Sequence, residues 1–113
     1  MTKVTFFERE DGLISGFEAS GHSGYGEYGS DIVCAAISAL TQAAAQGVAE
    51  VAGAPVSSKT NEDTGYLDCI IQNGATDKQL SDAQILLKTL KLALTAISKD
   101  YPGTIRIIIR ERR

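Results

Sequence analysis

Apolar positions recur along the chain with two periods, and the switches between them predict the elements. Residues 3–10, KVTFFERE, combine β-branched and adjacent aromatic side chains and predict a strand. Asp11-Gly12 is a hairpin turn signal, and residues 13–20, LISGFEAS, supply the return strand. After a glycine-rich stretch the period changes. Val33, Ile37, Leu40, Ala44, Val48 and Val51 fall at helical spacings and predict one buried stripe on a helix over 31–51. Ser30 or Asp31 is placed to cap that helix, and Gly53, Ala54 and Pro55 end it. A second hairpin follows, with strands over 56–60 and 65–73 and a turn near 61–64. Thr76 with Gln79 fits a capping box. Leu80, Ala83, Leu87, Leu90, Leu94 and Ile97 then mark the most regular stripe in the chain, on a helix over 77–99. Pro102-Gly103 stops it, and TIRIIIRERR, residues 104–113, reads as a last strand with a basic end. The order ββαββαβ predicts an α+β fold, a mixed β-sheet with two helices packed on it.

Composition narrows the class. The 113 residues suit a single domain over 1–113, with 43% hydrophobic and 22% charged residues. One core of this size is thin, so a homodimer is expected. The formal charge of −3 argues against a dedicated nucleic-acid binder. No apolar run is expected to reach the ~18 residues of a membrane span, and charges interrupt MTKVTFFERE at once, unlike a signal peptide. A cytoplasmic protein without membrane association is the expectation, with Cys34 and Cys69 as free thiols. Two cysteines and one histidine are too few for a structural zinc site, so neither metal nor cofactor is expected.

The chemistry concentrates in GHSGYGEYGSDIVCAA, residues 21–36, which holds the single histidine and Cys34. Cys34 falls in the first turn of its helix. Unpaired N–H groups there carry partial positive charge, and thiols at such positions or beside cations titrate at roughly 3.5–7.5. The same donors could hold the oxyanion of acyl transfer. The competing reading makes Cys34 a small buried apolar residue. His22, 12 positions earlier, could fold back as general base or stand inertly on the surface. Asp31 could orient His22, cap the helix, or do both. Ser38, at i+4 from Cys34, shares its face and could support the cysteine or bind substrate. Gly21, Ser23, Gly24, Tyr25 and Tyr28 form a flexible substrate loop in this reading, mobile until substrate binds, with the tyrosines as a lid or as plain surface residues. A phosphate cradle is disfavoured: there is no P-loop lysine, and Glu27 lies inside the loop. Cys69, alternating with Leu67 and Ile71, reads as core.

The stretch GHSGYGEYGSDIVCAAISAL, residues 21–40, resembles the signature of the ribosomal-processing cysteine protease family of bacteria. The match comprises Gly21-His22, the glycine loop, YGSDIVCAA and Ser38, and chain length and element order agree with it. The resemblance implies that His22 and Cys34 are the catalytic dyad and that Asp31 and Ser38 belong to the site. It further implies removal of an N-terminal extension from large-subunit ribosomal protein number twenty-seven, a homodimer, and a mobile loop over the site.

Two other readings compete with this cysteine endopeptidase. One is a non-catalytic ribosome- or RNA-associated dimeric module, supported by Arg106, Arg110, Arg112 and Arg113 at the basic end. The other is a purely structural dimer. For the dimer face, Ile85, Leu92 and Ala96 on the second helix form an apolar stripe outside the main one.

Overall fold

The computed structural model of the chain describes residues 1–27 and 29–111. Tyr28, Arg112 and Arg113, singled out above, lie outside the described residues. Strands β1 (Thr2–Glu8) and β2 (Ile14–Ser20) form the first hairpin, with Val4 opposite Ala19 and Phe6 opposite Phe17. Strands β3 (Val56–Asn61) and β4 (Tyr66–Ile71) form the second, and β4 pairs antiparallel with β2. Strand β5 (Ile105–Glu111) runs parallel to β1 on its other side, giving the order β3-β4-β2-β1-β5. Helices α1 (Ile32–Gln46) and α2 (Asp77–Asp100) complete the ββαββαβ order read from the sequence.

Side-chain alternation decides which face of the sheet the helices cover. Val4 and Phe6 of β1, Phe17 and Ala19 of β2, Cys69 of β4 and Ile105 of β5 share one core with the stripes of α1 and α2. Phe6 and Phe17 meet with ring centroids 6.2 Å apart. The α2 stripe enters this core as read, with Ala83, Leu87, Leu90 and Leu94 buried and Leu80 and Ile97 half-buried. The capping box also forms: Gln79 N–H donates to Thr76 Oγ1 at 3.1 Å, and Thr76 N–H donates to Gln79 Oε1 at 2.9 Å. Cys69 is fully buried, as expected of a core residue.

The α1 stripe departs from expectation at its end. The α-helix stops at Gln46 and continues as one π-helical turn, Gly47–Val51, in which Ala52 N–H reaches back five residues to Gly47 C=O at 2.8 Å. The wider turn rotates the following residues out of the 3.6-residue register. Val51, expected in the buried stripe, is therefore 84% exposed. Gly47 lies where α1 and α2 press together, and a Cβ there would come within 3.0 Å of Leu86 Cδ1. The expectation that no segment is long and apolar enough to span a membrane also needs correcting. The continuous helix Ile32–Val51 meets that test by length and composition, because alanine fills so many of its positions. Its inner face, Val33, Ile37, Thr41, Ala44 and Val48, packs into the core, as in a core helix.

One buried polar residue docks α2 onto the sheet. Gln84 is 6% exposed, and its amide accepts from Ile14 N–H at 2.7 Å and donates to Ile14 C=O at 2.8 Å. The side chain thus satisfies both backbone groups where β2 begins. Substituting Gln84→Ala strands two buried groups and is expected to cost about 2 kcal/mol or more. Urea unfolding monitored by circular dichroism measures this, and a loss below about 0.5 kcal/mol would show that water serves those groups equally well.

Candidate active site

The site forms where β2 runs out beside the start of α1. Gly21 follows the last residue of β2 with φ +87°, a conformation that favours glycine. Its N–H donates to Thr64 C=O at 3.1 Å, and its C=O accepts from Thr2 Oγ1 at 3.4 Å. The turn is thereby fixed on both sides, by the β3–β4 hairpin and by β1. His22, the next residue, presents Nδ1 to Cys34 Sγ at 3.6 Å. The twelve-residue separation closes into a thiol–imidazole contact at the head of α1. Cys34 is half-buried, whereas Cys69 lies in the core with its thiol pushed up to about 11 by burial and by the negative charge of Asp68. At neutral pH Cys69 is an inert thiol.

Asp31 is the N-cap of α1, with extended backbone, and is 8% exposed. Its Oδ1 accepts from Cys34 N–H at 2.9 Å. Its Oδ2 accepts from the Ser23 hydroxyl at 2.5 Å and from the N–H groups of Tyr25 and Gly26, both at 3.0 Å. Burial works against the charge, but the Ser23 hydroxyl and the Cys34, Gly26 and Tyr25 N–H groups outweigh it and hold the carboxyl at about 2. Of the two roles read for Asp31, these contacts make it the helix cap and, in addition, the anchor of the loop; none of them is with His22. They also revise the oxyanion expectation. The Cys34 N–H is engaged by Asp31, which leaves, among the described residues, the N–H groups of Ile32 and Val33 as orphan donors of the first turn.

The remaining expected site residues divide. Gly21, His22, Gly24, Asp31, Cys34 and Ser38 all line one groove of about 920 Å³. It continues between α1 and the β3–β4 edge of the sheet, past Gln42, Ala45 and Ala49 on one side and Val56, Ser58 and Thr60 on the other. Ser23 is a correction: it is 2% exposed beneath the loop, where its hydroxyl serves Asp31, and so offers substrate no surface. Tyr25 is 52% exposed and is not among the groove residues; its ring stacks edge-on against Tyr101 at 5.2 Å, after the end of α2. The glycine count predicts a loosely held loop, yet the segment from Ser23 to Gly26 is tied to Asp31 at three points. Sequence reading missed the contribution of Thr64 and Gly65. The hairpin turn was legible, but nothing in the chain order says that it folds against His22.

The depressed Asp31 carboxyl carries a pH signature. A group whose folded pKa lies below its unfolded value contributes stability that is fully present above the unfolded pKa of 3.8 and is lost as pH falls through about 2. Replacing Asp31→Asn is expected to lower stability at neutral pH and to flatten its decline in that acid window. Urea titrations of both proteins at matched pH values measure the difference. Parallel curves with a constant gap would mean that the carboxylate charge is not what the loop donors hold.

Comparison with known proteins adds ancestry to this geometry. Residues 1–106 match the family model described as cysteine protease Prp. The ribosomal processing cysteine protease Prp of Bacillus subtilis is 29% identical over 107 residues, covering 95% of this chain and 96% of that one. Among solved structures, SMU.848 from Streptococcus mutans is similar with a TM-score of 0.80 and 31% identity, over 99% of this chain and 96% of that one. The essential ribosomal processing protease Prp from S. aureus, solved with a covalently linked product peptide, shares the fold at a TM-score of 0.85 and 24% identity, over 97% and 100% of the two chains. With the family model matched over nearly the whole chain, and a thiol and an imidazole in contact at the head of a groove, the chain belongs to the Prp family of cysteine proteases.

Proposed function

We propose that the whole chain acts as one cytoplasmic cysteine endopeptidase domain that removes the N-terminal extension of large-subunit ribosomal protein number twenty-seven. The observation that carries the reading is the 3.6 Å approach of His22 Nδ1 to Cys34 Sγ at the mouth of the groove, in a chain of this family. In the proposed cycle His22 Nδ1 takes the thiol proton and Cys34 Sγ attacks the scissile carbonyl carbon. The tetrahedral oxyanion is held by orphan N–H donors at the head of α1. The imidazolium returns the proton to the departing amine, leaving a thioester on Cys34. Water, deprotonated by the same imidazole, then attacks the thioester and releases the acid and the free thiol. Asp31 keeps loop and helix in mutual position, and Ser38, exposed one turn beyond Cys34, contacts the bound peptide. The groove walls suit an extended chain segment, with Ala35 and Ala45 of α1 and Val56 of β3 among the residues that line it.

A homodimer belongs to the same proposal. Ile85 and Leu92 are 65% and 74% exposed and Ala96 is exposed too, so this α2 stripe stands outside the core and is available for a two-fold contact. The alternative of a non-catalytic RNA-associated module gains no observation of its own. Arg106 and Arg110 are exposed on β5, as expected for a solvated strand end.

Cys34→Ser conserves shape but replaces the thiol with a poorly activated hydroxyl. Cleavage of the extended ribosomal protein is expected to fall by at least about a thousandfold with the melting temperature unchanged. Turnover retained in the folded variant would exclude the cysteine mechanism. Sedimentation equilibrium at micromolar concentration is expected to give a dimer that Leu92→Glu shifts toward monomer; a wild-type monomer would remove the dimer from the proposal.

A further inference from the structure

The imidazole of His22 rests against a residue that the chemistry alone does not call for. Gly65 closes the β3–β4 hairpin with φ +64°, and its N–H donates to Glu62 C=O at 3.2 Å. The turn before it is built tightly: Asn61 Oδ1 accepts from the N–H groups of Asp63 and Thr64 at 3.0 and 3.4 Å, and Thr64 Oγ1 donates to Asn61 C=O at 3.4 Å. A side chain beginning at Gly65 would have its Cβ 2.6 Å from Gly21 C=O and 3.0 Å from His22 Cε1. The first distance is shorter than real Cβ contacts and the second is tighter than nearly all of them, and the nearer neighbour is backbone that Thr64 C=O and Thr2 Oγ1 already hold. The missing side chain therefore leaves the space into which the Gly21–His22 turn fits.

From this juxtaposition, and resting on the reading of His22 as general base, we infer that Gly65 is a positioning residue: the tip of the β3–β4 hairpin forms one wall of the imidazole seat and sets the approach of His22 to Cys34. Wall and anchor flank His22 along the chain. Asp31 holds the loop after His22 through Ser23, Tyr25 and Gly26, and the hairpin holds the turn before it through the Thr64 C=O bond to Gly21. Any Cβ at position 65 must displace Gly21, His22 or the hairpin by several tenths of an ångström. A misplacement of about 1 Å at a reacting group can reduce rate roughly a hundredfold.

The test separates the space at Gly65 from its backbone conformation. Gly65→Ala adds a Cβ in a strained conformation; Gly65→Asn adds the same Cβ in a residue that tolerates left-handed backbone. Gly12→Ala and Gly12→Asn are the controls. Gly12 has φ +84° with nothing within 4 Å of its Cβ position, at the far end of the β1–β2 hairpin from His22. The readouts are iodoacetamide alkylation of Cys34 across the range over which an imidazole titrates, kcat and KM on a peptide spanning the extension junction, and melting temperature. Both Gly65 variants are expected to reproduce the altered alkylation profile of His22→Ala. Their kcat should fall roughly ten- to a hundredfold with KM within about twofold, while both Gly12 variants keep the wild-type profile. A wild-type alkylation profile and kcat in Gly65→Asn would overturn the positioning role, whatever Gly65→Ala does. An unchanged profile in His22→Ala would instead remove the parent reading, and with it any role for a wall beside that imidazole.

Discussion

The carboxylate of Asp31 joins the two parts of the site. One oxygen caps α1 through Cys34 N–H; the other collects the Ser23 hydroxyl and the N–H groups of Tyr25 and Gly26. Helix capping and loop anchoring are ordinary devices taken singly. Placed on a single buried carboxylate, they fix the segment carrying His22 relative to the turn carrying Cys34. A glycine-rich loop would otherwise have too many conformations to hold a thiol–imidazole contact. The charge-assisted bonds that organise the loop also depress the carboxyl, so the anchor stays ionised throughout the physiological range.

Around that anchor, the sheet does the rest of the positioning. β2 delivers Gly21 between β1 and the β3–β4 hairpin, and the core stripe of α1 sets where Cys34 stands. The two helices pack on one face, while the β3–β4 edge extends past α1 and leaves the groove open. The two thiols show how far environment governs chemistry. Cys69 faces the core between hydrophobic neighbours and is kept protonated, whereas Cys34 opens onto the groove beside an imidazole.

Much of this was legible in the chain. The stripe of α2, its Thr76–Gln79 box and the Asp11-Gly12 turn follow local rules, and all three stand as read. His22 and Cys34 were legible as a pair because a lone imidazole precedes a helix-start thiol across a glycine loop. What escaped depends on contacts between distant residues. Ser23 reads as a substrate-loop serine until Asp31 is seen above it, and Gly65 reads as the first residue of a strand until it is found closing the turn against His22. Nothing in the helical pattern singles out Gln84, since only the tertiary fold brings Ile14 to it. Val51 was misassigned because a π turn is invisible to a 3.6-residue template.

The central claim is that one carboxylate holds loop and helix together before any substrate arrives. Native-state hydrogen exchange of the free protein, resolved at the amides of Tyr25, Gly26 and Cys34, tests it most directly. All three amides donate to Asp31, so they are expected to be protected in the wild type and to lose that protection together in Asp31→Ala. Tyr25 and Gly26 amides exchanging at the rate of an unstructured loop in the wild type, with only Cys34 protected, would contradict it: Asp31 would then be a helix cap and nothing more.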